Sequence, residues 1–297
     1  MRAGIDIGGT KMEIVVLDAD GKLAYTERVS TPTDSYNNFI VTVVELIAQA
    51  DANVGPISRI GIGCPGAISP DSNTIKNANC QILNGHNLAE DLESIFHLPV
   101  SIANDADCLA ISEFTDGAAA EAKHSCFAAI LGTGCGGGLV MNGKLVTGLN
   151  RIAGEWGHNP LPDWEEQNDG PKHRCYCGRD KCQESFISGT GLARNFQAIY
   201  GDDKMSPEIV ELAREGNEQA KEHMQRFYDQ LARAFAAVIN IVDPEVIVIG
   251  GGLSNVEEIY AEVPKIWERY VFSDCVHTKL VAAKHGDSSG VRGAAWL

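Results

Sequence analysis

The chain of 297 residues is long enough to bury one large core or two lobes of ordinary domain size. Its formal net charge of −16 argues against nucleic acid or an anionic membrane as a partner, because both would repel it. Hydrophobic residues make up 44% of the sequence and charged residues 22%, as in soluble globular proteins. No secretion signal and no apolar run of transmembrane length is visible, so we expect a cytoplasmic protein.

The first third of the chain alternates between strand and helix patterns. Residues 3–29 read as a strand, a glycine turn, a strand, an Asp-Gly turn and a further strand. Four more segments follow, predicted as helix, strand, helix and strand, at residues 35–51, 57–64, 91–96 and 100–103. The last strand leads directly into a helical segment at residues 104–114. This alternation predicts an α/β fold with mixed sheets.

The sequence from residue 126 repeats the plan of the N-terminus. An apolar strand runs into Gly132-Thr133-Gly134, a second strand follows, and Asn142-Gly143 turns the chain. This indicates an internal duplication and two lobes of similar design, although two glycine-rich hairpins can also resemble each other by chance. Residues 163–174 read as an irregular loop. A helix start is predicted at Ser206, and the end of a long helix at Asp243.

The two glycine turns are candidates for phosphate binding. Glycines let backbone N–H groups approach phosphate oxygens closely, and a threonine adds a donor. The first turn contains Gly8, Gly9, Thr10 and Lys11, and the second contains Gly132, Thr133 and Gly134. Facing each other, they would clamp a polyphosphate; the alternative is two ordinary turns. Asp6 could hold Mg²⁺ through water. A third glycine run, with Gly251 and Gly252, could lie against a base or ribose before a helix near residue 255.

Asn104 and Asp105 lie at a strand-to-helix junction. Either residue type caps helices well, so the pair could be purely structural. Asp105 could instead be a base that accepts a proton from an attacking hydroxyl. A helix N-terminus favours the ionised carboxylate and weakens such a base. Phosphoryl transfer rewards positioning over basicity, so the residues alone leave both interpretations open.

The nine cysteines fall into two groups. Six are scattered, mostly among apolar residues, and are expected to be core residues: Cys64, Cys80, Cys108, Cys126, Cys135 and Cys275. The other three, Cys175, Cys177 and Cys182, cluster in a polar segment at a spacing that suits one tetrahedral zinc ion. A redox thiol pair is the competing interpretation, but Cys-x-Cys lacks the usual redox spacing. The fourth ligand could be His158 or His173, and four protein ligands would make the zinc structural.

Over essentially its full length the chain resembles ROK-family sugar kinases. The resemblance rests on DIGGTK, IGCPGAIS, ANDADCLA, LGTGCGGG, GEWGH, CYCGRDKCQE, VIGGGLSN and HGDSSGVRGAAWL. It implies the α/β two-lobed actin-like ATPase (ribonuclease H-like) fold with duplicated mixed-sheet domains. We expect an N-terminal lobe at residues 1–115 and a C-terminal lobe at 116–297, with a last helix at about 288–297 packing back on the first lobe. Family members are often homodimers.

The segments KNANCQILNG, EWGHNPLP and ESFISGTG are most similar to bacterial fructokinases. The resemblance therefore implies ATP- and Mg²⁺-dependent phosphorylation of the 6-hydroxyl of fructose, with mannose or glucose as further acceptors. It implies Asp105 as general base, both glycine turns at the phosphates and Gly251 and Gly252 at the adenosine. It favours His158 as the fourth zinc ligand. The implied sugar-pocket residues are Gly66, Asn79, Asn104, Asp105, Glu155, His158 and Glu184.

One departure from the family pattern concerns the zinc loop. The family commonly has Gly before the last cysteine, whereas Arg179-Asp180-Lys181 precedes Cys182 here, so the turn geometry is less certain.

Three alternatives to a fructokinase remain. An N-acetylglucosamine or N-acetylmannosamine kinase of the same family would need room for an acetamido group. A sugar-responsive ROK repressor would carry a helix-turn-helix segment before the first strand; strand one begins within three residues of Met1 and the charge is acidic, so we do not expect a repressor. A binding protein without turnover would have Asp105 replaced, and it is present.

Overall fold

The computed structural model describes residues 1–78 and 80–297, except for the side chain of Asp287. Up to residue 115 the strands and helices follow in this order: β1 (Arg2–Ile7), β2 (Lys11–Leu17), β3 (Leu23–Ser30), α1 (Tyr36–Val54), β4 (Arg59–Gly63), β5 (Ala67–Ile68), β6 (Ile75–Lys76), α2 (Leu88–Phe96), β7 (Val100–Ala103) and α3 (Asp105–Thr115). A 3₁₀ helix, Gln81–Leu83, precedes α2.

The rest of the chain contains β8 (Ser125–Leu131), β9 (Cys135–Met141), β10 (Lys144–Leu145), α4 (Glu166–Asp169), α5 (Glu184–Ile187), α6 (Gly189–Tyr200), α7 (Ser206–Arg214), α8 (Glu218–Val242), β11 (Val246–Gly250), α9 (Glu257–Trp267), β12 (Lys279–Ala282) and α10 (Ser289–Trp296). Shorter 3₁₀ helices span Trp156–His158, Gly252–Asn255 and Gly286–Ser288. The segment predicted as an irregular loop, residues 163–174, thus contains the short helix α4.

Two five-stranded sheets have the same plan. The first has the order β3-β2-β1-β4-β7 and the second β10-β9-β8-β11-β12. In the first, β1 and β3 pair antiparallel with β2, while β4 pairs in parallel with β1 and β7. In the second, β10 pairs antiparallel with β9, and β11 in parallel with β8 and β12. The predicted duplicated mixed-sheet fold is confirmed.

The chain divides into two compact units. The first comprises residues 1–121, 138–153 and 284–297, and the second residues 122–137 and 154–283. Both units are discontinuous in sequence. The predicted lobes instead have a single boundary after residue 115, with only the last helix packing back on the first lobe. The boundary between the two lobes therefore stays a prediction.

In the first unit, helix α10 packs on β1, β4 and α3 at glycines. A Cβ on Gly4 would lie 2.3 Å from the Val291 carbonyl oxygen, and a Cβ on Gly61 would lie 1.7 Å from that of Ala294. A Cβ on Gly293 would lie 1.8 Å from the Cys108 carbonyl oxygen. Since side chains at these positions would overlap backbone atoms, the glycines allow α10 to approach closely.

Helix ends follow local capping chemistry. Helix α1 begins after Ser35, whose Oγ accepts a hydrogen bond from the Asn38 N–H at 3.2 Å. Helix α8 ends as predicted, at Asp243, which has a left-handed φ of 49° and precedes a proline. Helix α7 starts at Ser206 without a serine cap; instead the Glu208 carboxylate accepts a hydrogen bond from the Met205 N–H.

The cysteine prediction holds for five of the six scattered cysteines. Cys64, Cys80, Cys108, Cys126 and Cys135 are buried. Cys275 is exposed, contrary to expectation, because it lies in the irregular segment between α9 and β12, with its Sγ 3.5 Å from the His277 Nε2 atom. In the part of the chain that the structure describes, no helix is both long and apolar enough to cross a membrane.

Candidate functional site

The first glycine turn joins β1 to β2 in the first unit. The Gly8 N–H donates to the Lys11 carbonyl oxygen at 2.9 Å and closes the turn. Thr31 anchors it from the next strand: its Oγ1 donates to the Gly8 carbonyl at 2.8 Å. Gly9, Thr10 and Lys11 are exposed at the tip, so this turn presents one hydroxyl, one ammonium group and a glycine backbone to a ligand.

Asp105 is the first residue of α3, directly after β7. Asn104 is the cap of this helix, and its side-chain oxygen accepts a hydrogen bond from the Asp107 N–H at 2.6 Å. The capping interpretation therefore describes Asn104, and the Asp105 carboxylate instead accepts one hydrogen bond, from the Ala106 N–H at 2.9 Å. The surrounding protein desolvates this carboxylate and raises its pKa, an effect that the Ala106 hydrogen bond opposes. Desolvation thus counteracts the base-weakening effect of the helix N-terminus.

Asp6 lies near the end of β1, close enough to Asp105 for the two carboxylates to repel each other. Burial, followed by repulsion from Asp105, raises the pKa of Asp6 to about 6. Glycines surround this carboxylate: a Cβ on Gly63 would lie 3.3 Å and a Cβ on Gly290 3.7 Å from Asp6 Oδ1. Two carboxylates that disfavour each other's ionised forms are suited to a divalent cation or to proton transfer.

Gly66 follows β4 and has a φ of 103°, a conformation that L side chains rarely adopt. A Cβ there would lie 2.6 Å from the Lys76 carbonyl oxygen. Gly66 thus packs against the strand β6 that leads toward residue 78. Asn79, expected in the sugar pocket, lies outside the described residues.

The second glycine turn, in the second unit, is held by other glycines. The Gly132 N–H donates to the Gly134 carbonyl at 3.1 Å, and the Gly189 N–H donates to the Gly132 carbonyl at 2.7 Å. Gly251, with a φ of 79°, would place a Cβ 2.7 Å from the Leu131 carbonyl carbon. The third glycine run therefore packs directly on the second turn, while Gly252 and Thr133 are exposed.

Glu184 connects this turn to the cysteine cluster. Its Oε2 accepts a hydrogen bond from the Cys135 N–H at 3.1 Å, and its Oε1 lies 3.8 Å from the Cys175 Sγ. A Cβ on Gly134 would lie 2.9 Å from Glu184 Oε2. The carboxylate thus fixes the backbone just after Gly134.

The GEWGH segment packs on the same turn. The Trp156 indole N–H donates to the Gly136 carbonyl at 2.9 Å, and its ring stacks on Phe235 at 5.2 Å between centroids. Gly157 has room only for hydrogen, since a Cβ would lie 2.3 Å from the Cys135 carbonyl oxygen. These contacts place Glu155 and His158, which flank the buried Trp156-Gly157 pair, beside the turn.

His158, Cys175, Cys177 and Cys182 form one group of potential metal ligands. One donor atom from each lies within 4.8 Å of all the others. The His158 Nδ1 is 3.6 Å from the Cys175 Sγ, and the Cys177 and Cys182 sulfurs are 3.5 Å apart. Three sulfurs and one imidazole nitrogen are a donor set that zinc prefers, and the spacing suits a tetrahedral ion.

His173 is engaged elsewhere. Its Nε2 is 2.8 Å from the Asn195 Oδ1, and the Asn195 amide in turn donates to the carbonyls of Ser185 and Gly191 at 3.1 Å. The structure therefore groups His158, and not His173, with the three cysteines.

The residue before Cys182, where the family commonly has Gly, is Lys181, and its backbone is strained. Lys181 has a φ of 64°, a left-handed conformation in which a glycine would be unstrained. Its ammonium group lies 4.0 Å from the centre of the Trp164 ring, a cation–π contact that offsets part of that strain.

A pocket of about 390 Å³ lies beside these groups in the second unit. Its lining includes the predicted residues Thr133, Cys175 and Glu184 together with residues that were not predicted from the sequence: Arg174, Tyr176, Ser185, Ser188, Thr190, Gly191 and Arg194. The sequence signal that could have located these residues is SGTG, a typical helix start: the Ser188 Oγ caps α6 by accepting a hydrogen bond from the Gly191 N–H at 2.9 Å.

The predicted site residues thus form two groups. The structure brings Asp6, the first glycine turn, Asn104 and Asp105 together in the first unit. It brings the second and third glycine runs, Glu155, His158, Glu184 and the cysteines together in the second. Two duplicated mixed sheets, each with a glycine turn after its first strand, define the two-lobed actin-like ATPase fold.

Comparison with known proteins identifies the family. The model of the ROK family matches residues 2–297. The N-acetyl-D-glucosamine kinase of Vibrio parahaemolyticus serotype O3:K6 is 41% identical over 300 residues, covering 100% of this chain and 99% of that protein. The chain therefore belongs to the ROK family. It is a sugar kinase of this family, and its phosphate donor is ATP with Mg²⁺.

Solved structures agree with this assignment. The ROK hexokinase from Thermus thermophilus superimposes with a TM-score of 0.87 at 27% identity, covering 99% of this chain and 96% of that one. The ROK family glucokinase from Streptomyces griseus, solved with glucose and AMPPNP, gives a TM-score of 0.73 at 27% identity, with 99% and 97% covered.

The comparisons correct the predicted substrate. The fructokinase assignment is wrong, because full-length relatives at 40–41% identity are named N-acetyl-D-glucosamine kinases. The resemblance of three short segments to fructokinases is thus outweighed by identity over the whole chain.

Proposed function

We propose that this protein transfers the γ-phosphate of ATP to the 6-hydroxyl of N-acetyl-D-glucosamine. The observation that carries the proposal is 41% identity, over the whole chain, to a protein named for that activity. It replaces fructose with the acetamido sugar that the sequence analysis held as its alternative.

Asp105 is the proposed general base. Its carboxylate is anchored by one backbone hydrogen bond, and desolvation raises its pKa, which makes it a stronger base than an ordinary aspartate. It would orient the 6-hydroxyl and accept its proton as the oxygen attacks the γ-phosphorus in line. Asn104, which caps the helix through its side chain, would keep Asp105 at this position while contacting a neighbouring sugar hydroxyl.

The nucleotide is proposed to bind at the three glycine runs. Backbone N–H groups of Gly8, Gly9, Gly132 and Gly134, with Thr10, Lys11 and Thr133, would contact its phosphates. The exposed backbone at Gly251 and Gly252 would contact the adenosine. Mg²⁺, when bound with ATP, neutralises charge on the phosphates. Asp6 would face this ion through water, which fits its proximity to a second carboxylate.

We propose that the acceptor sugar contacts the residues that the family resemblance implied, namely Gly66, Asn79, Asn104, Glu155, His158 and Glu184. The support in the second unit is geometric. Trp156 and Gly157 fix the GEWGH turn on the second glycine turn, and the Cys135 N–H fixes Glu184. Rigid support of this kind lets carboxylates orient sugar hydroxyls.

We also propose that His158, Cys175, Cys177 and Cys182 hold a structural zinc ion. Four protein donors complete a tetrahedral sphere and leave no open position for chemistry. The ion would connect the GEWGH turn to the loop that ends at Glu184. The homodimer and the cytoplasmic location remain predictions.

A coupled assay of ADP release with a panel of sugars tests the proposed substrate. We expect N-acetylglucosamine to give the highest kcat/KM, ahead of N-acetylmannosamine, glucose and fructose. The Asp105→Asn variant, run in parallel, reports ADP release that does not depend on the proposed base. A higher kcat/KM with glucose or fructose would overturn the substrate assignment.

A further inference from the structure

Both ring nitrogens of His158 have a neighbour. Nδ1 faces the cysteine sulfurs, with Cys175 Sγ at 3.6 Å, while Nε2 lies 3.0 Å from the Tyr176 hydroxyl. The two rings meet edge to face, with centroids 5.1 Å apart and an interplanar angle of 84°. Tyr176 lies between two of the cysteines in sequence, and yet 83% of it is exposed. Core packing therefore does not explain its orientation.

The chemistry of a metal-bound histidine determines the direction of this hydrogen bond. A histidine that binds a metal through Nδ1 carries its proton on Nε2 and donates it. The phenol oxygen of Tyr176 is at hydrogen-bond distance from Nε2. Glu155 is the other acceptor nearby, but its Oε2 is 3.9 Å from Nε2, too far for a hydrogen bond. Tyr176 is thus the acceptor that the geometry selects.

The backbone around Tyr176 is fixed by the cysteine loop itself. The Cys175 N–H donates to the Arg179 carbonyl at 2.9 Å, and the Gly178 N–H donates to the Cys175 carbonyl at 3.0 Å. The backbone that carries Tyr176 is therefore held by the loop that supplies three of the four metal donors. The Tyr176 hydroxyl contacts the fourth donor, His158, which comes from a different segment.

We propose that Tyr176 is a positioning residue for the metal centre: its hydroxyl oxygen accepts a hydrogen bond from the His158 Nε2–H and so fixes the tautomer and orientation of that ligand. The inference rests on the proposed zinc site. Outer partners of this kind typically change metal affinity 10–100-fold when they are removed.

Zinc affinity, measured by competition with a chromophoric chelator, tests the proposal. We expect Tyr176→Phe, which keeps the ring and removes the acceptor, to bind zinc 10–100-fold more weakly than the wild type. Tyr25→Phe is the control, since it removes a tyrosine hydroxyl that donates a hydrogen bond to Glu27 in the other unit, away from the metal donors. Zinc affinity in Tyr176→Phe within twofold of the wild type would overturn the inference.

A double-mutant cycle separates positioning from general loosening of the loop. His158→Cys keeps four zinc donors but has no Nε2 proton. We expect Tyr176→Phe to change zinc affinity less than twofold in that background; an equal loss in both backgrounds would contradict action through His158. Cobalt-substituted protein provides a second readout, because reorienting the imidazole shifts the d–d absorption bands. If wild-type protein binds no zinc, the proposed metal site fails instead, which distinguishes the two failures.

Discussion

The Glu184 carboxylate accepts a hydrogen bond from the Cys135 backbone N–H at 3.1 Å, across 49 residues of sequence. One side chain thereby links the second glycine turn to the loop that carries three of the metal donors. Because Cys135 is buried, removing the carboxylate takes away the hydrogen-bond acceptor of its N–H. Glu184 therefore combines a structural role with its proposed contact to the sugar.

We predict that Glu184→Ala lowers the free energy of unfolding by about 1–3 kcal/mol, since a buried donor is left unpaired. Glu184→Gln keeps an acceptor and should lose clearly less stability, while sugar binding weakens in both variants. Glu155→Ala, at an exposed residue also proposed to contact the sugar, is the control and should leave stability unchanged. Denaturant unfolding measures all three; equal losses for Glu184→Ala and Glu184→Gln would contradict the structural role.

Asp105→Asn should lower kcat by about 10²–10⁴-fold, because asparagine cannot accept the proton of the attacking hydroxyl. The hydrogen bond from the Ala106 N–H is compatible with asparagine, so the dissociation constant for the sugar should change only a few-fold. Steady-state kinetics and calorimetric titration give the two quantities. Asp203→Asn, at an exposed carboxylate in the second unit, is the charge-matched control. Near-normal turnover by this variant would exclude Asp105 as the general base.

Asp6 should make the stability of the metal- and nucleotide-free protein depend on pH. Its folded-state pKa of about 6 is above the ordinary 3.8, so the folded state binds more protons in this interval and stability falls as pH rises from about 4 to 6. Asp6→Asn removes this penalty. Its stability advantage over the wild type should grow by roughly 2 kcal/mol between pH 4.5 and 7 and then level off.

Thermal and denaturant unfolding across that pH range checks the Asp6 prediction. Asp20→Asn, at an exposed residue of the turn between β2 and β3, serves as the control. An advantage of Asp6→Asn that is the same at pH 4.5 and pH 7 would refute the electrostatic explanation.

Gly293→Ala should destabilise the first unit by about 1–3 kcal/mol or more, because the added methyl group would lie 1.8 Å from the Cys108 carbonyl oxygen and force α10 away from α3. Gly290→Ala in the same helix is the matched control. Its methyl group would lie 3.7 Å from Asp6 Oδ1, an ordinary contact, so its effect on stability should be small. Similar losses of stability in both variants would contradict the close packing of α10 on α3 at Gly293.

Zinc content should distinguish the two histidines. His158→Ala is expected to lose bound zinc, whereas His173→Ala should retain it and lose stability because the Asn195 Oδ1 atom loses its hydrogen-bond partner. Elemental analysis of the purified variants decides the matter. Full zinc in His158→Ala together with loss in His173→Ala would reverse the ligand assignment.

The fold was predictable because its signals are local and occur twice. The strand, glycine turn, strand and Asx-Gly turn near residues 3–29 recur near residues 126–145, and each copy folds into an antiparallel pair beside parallel strands. The helix stop at Asp243 depends on the proline after it. By contrast, the return of residues 138–153 to the first unit depends on long-range contacts that no local pattern encodes.

Three features could not be predicted from sequence patterns: the structure of residues 163–174, the backbone of Lys181 and the acceptor sugar. Residues 163–174 read as a loop, but Asp169 is buried, pairs with Arg233 of α8 and accepts a hydrogen bond from the Glu165 N–H at 2.9 Å. Lys181 adopts a backbone conformation that favours glycine, stabilised by a tryptophan 17 positions earlier. The acceptor sugar was misassigned because short motifs report phosphate, metal and hydroxyl contacts, whereas selectivity among sugars depends on the shape of the pocket.

The position of the new phosphate ester tests the central claim most directly. The purified protein is incubated with N-acetylglucosamine and MgATP, and the product is examined by phosphorus–proton correlation NMR. We predict one phosphomonoester, coupled to the two protons on C6, formed by the wild type and absent with Asp105→Asn. A phosphate coupled to the C1 proton, or no ester from N-acetylglucosamine while another hexose is phosphorylated, would contradict the account.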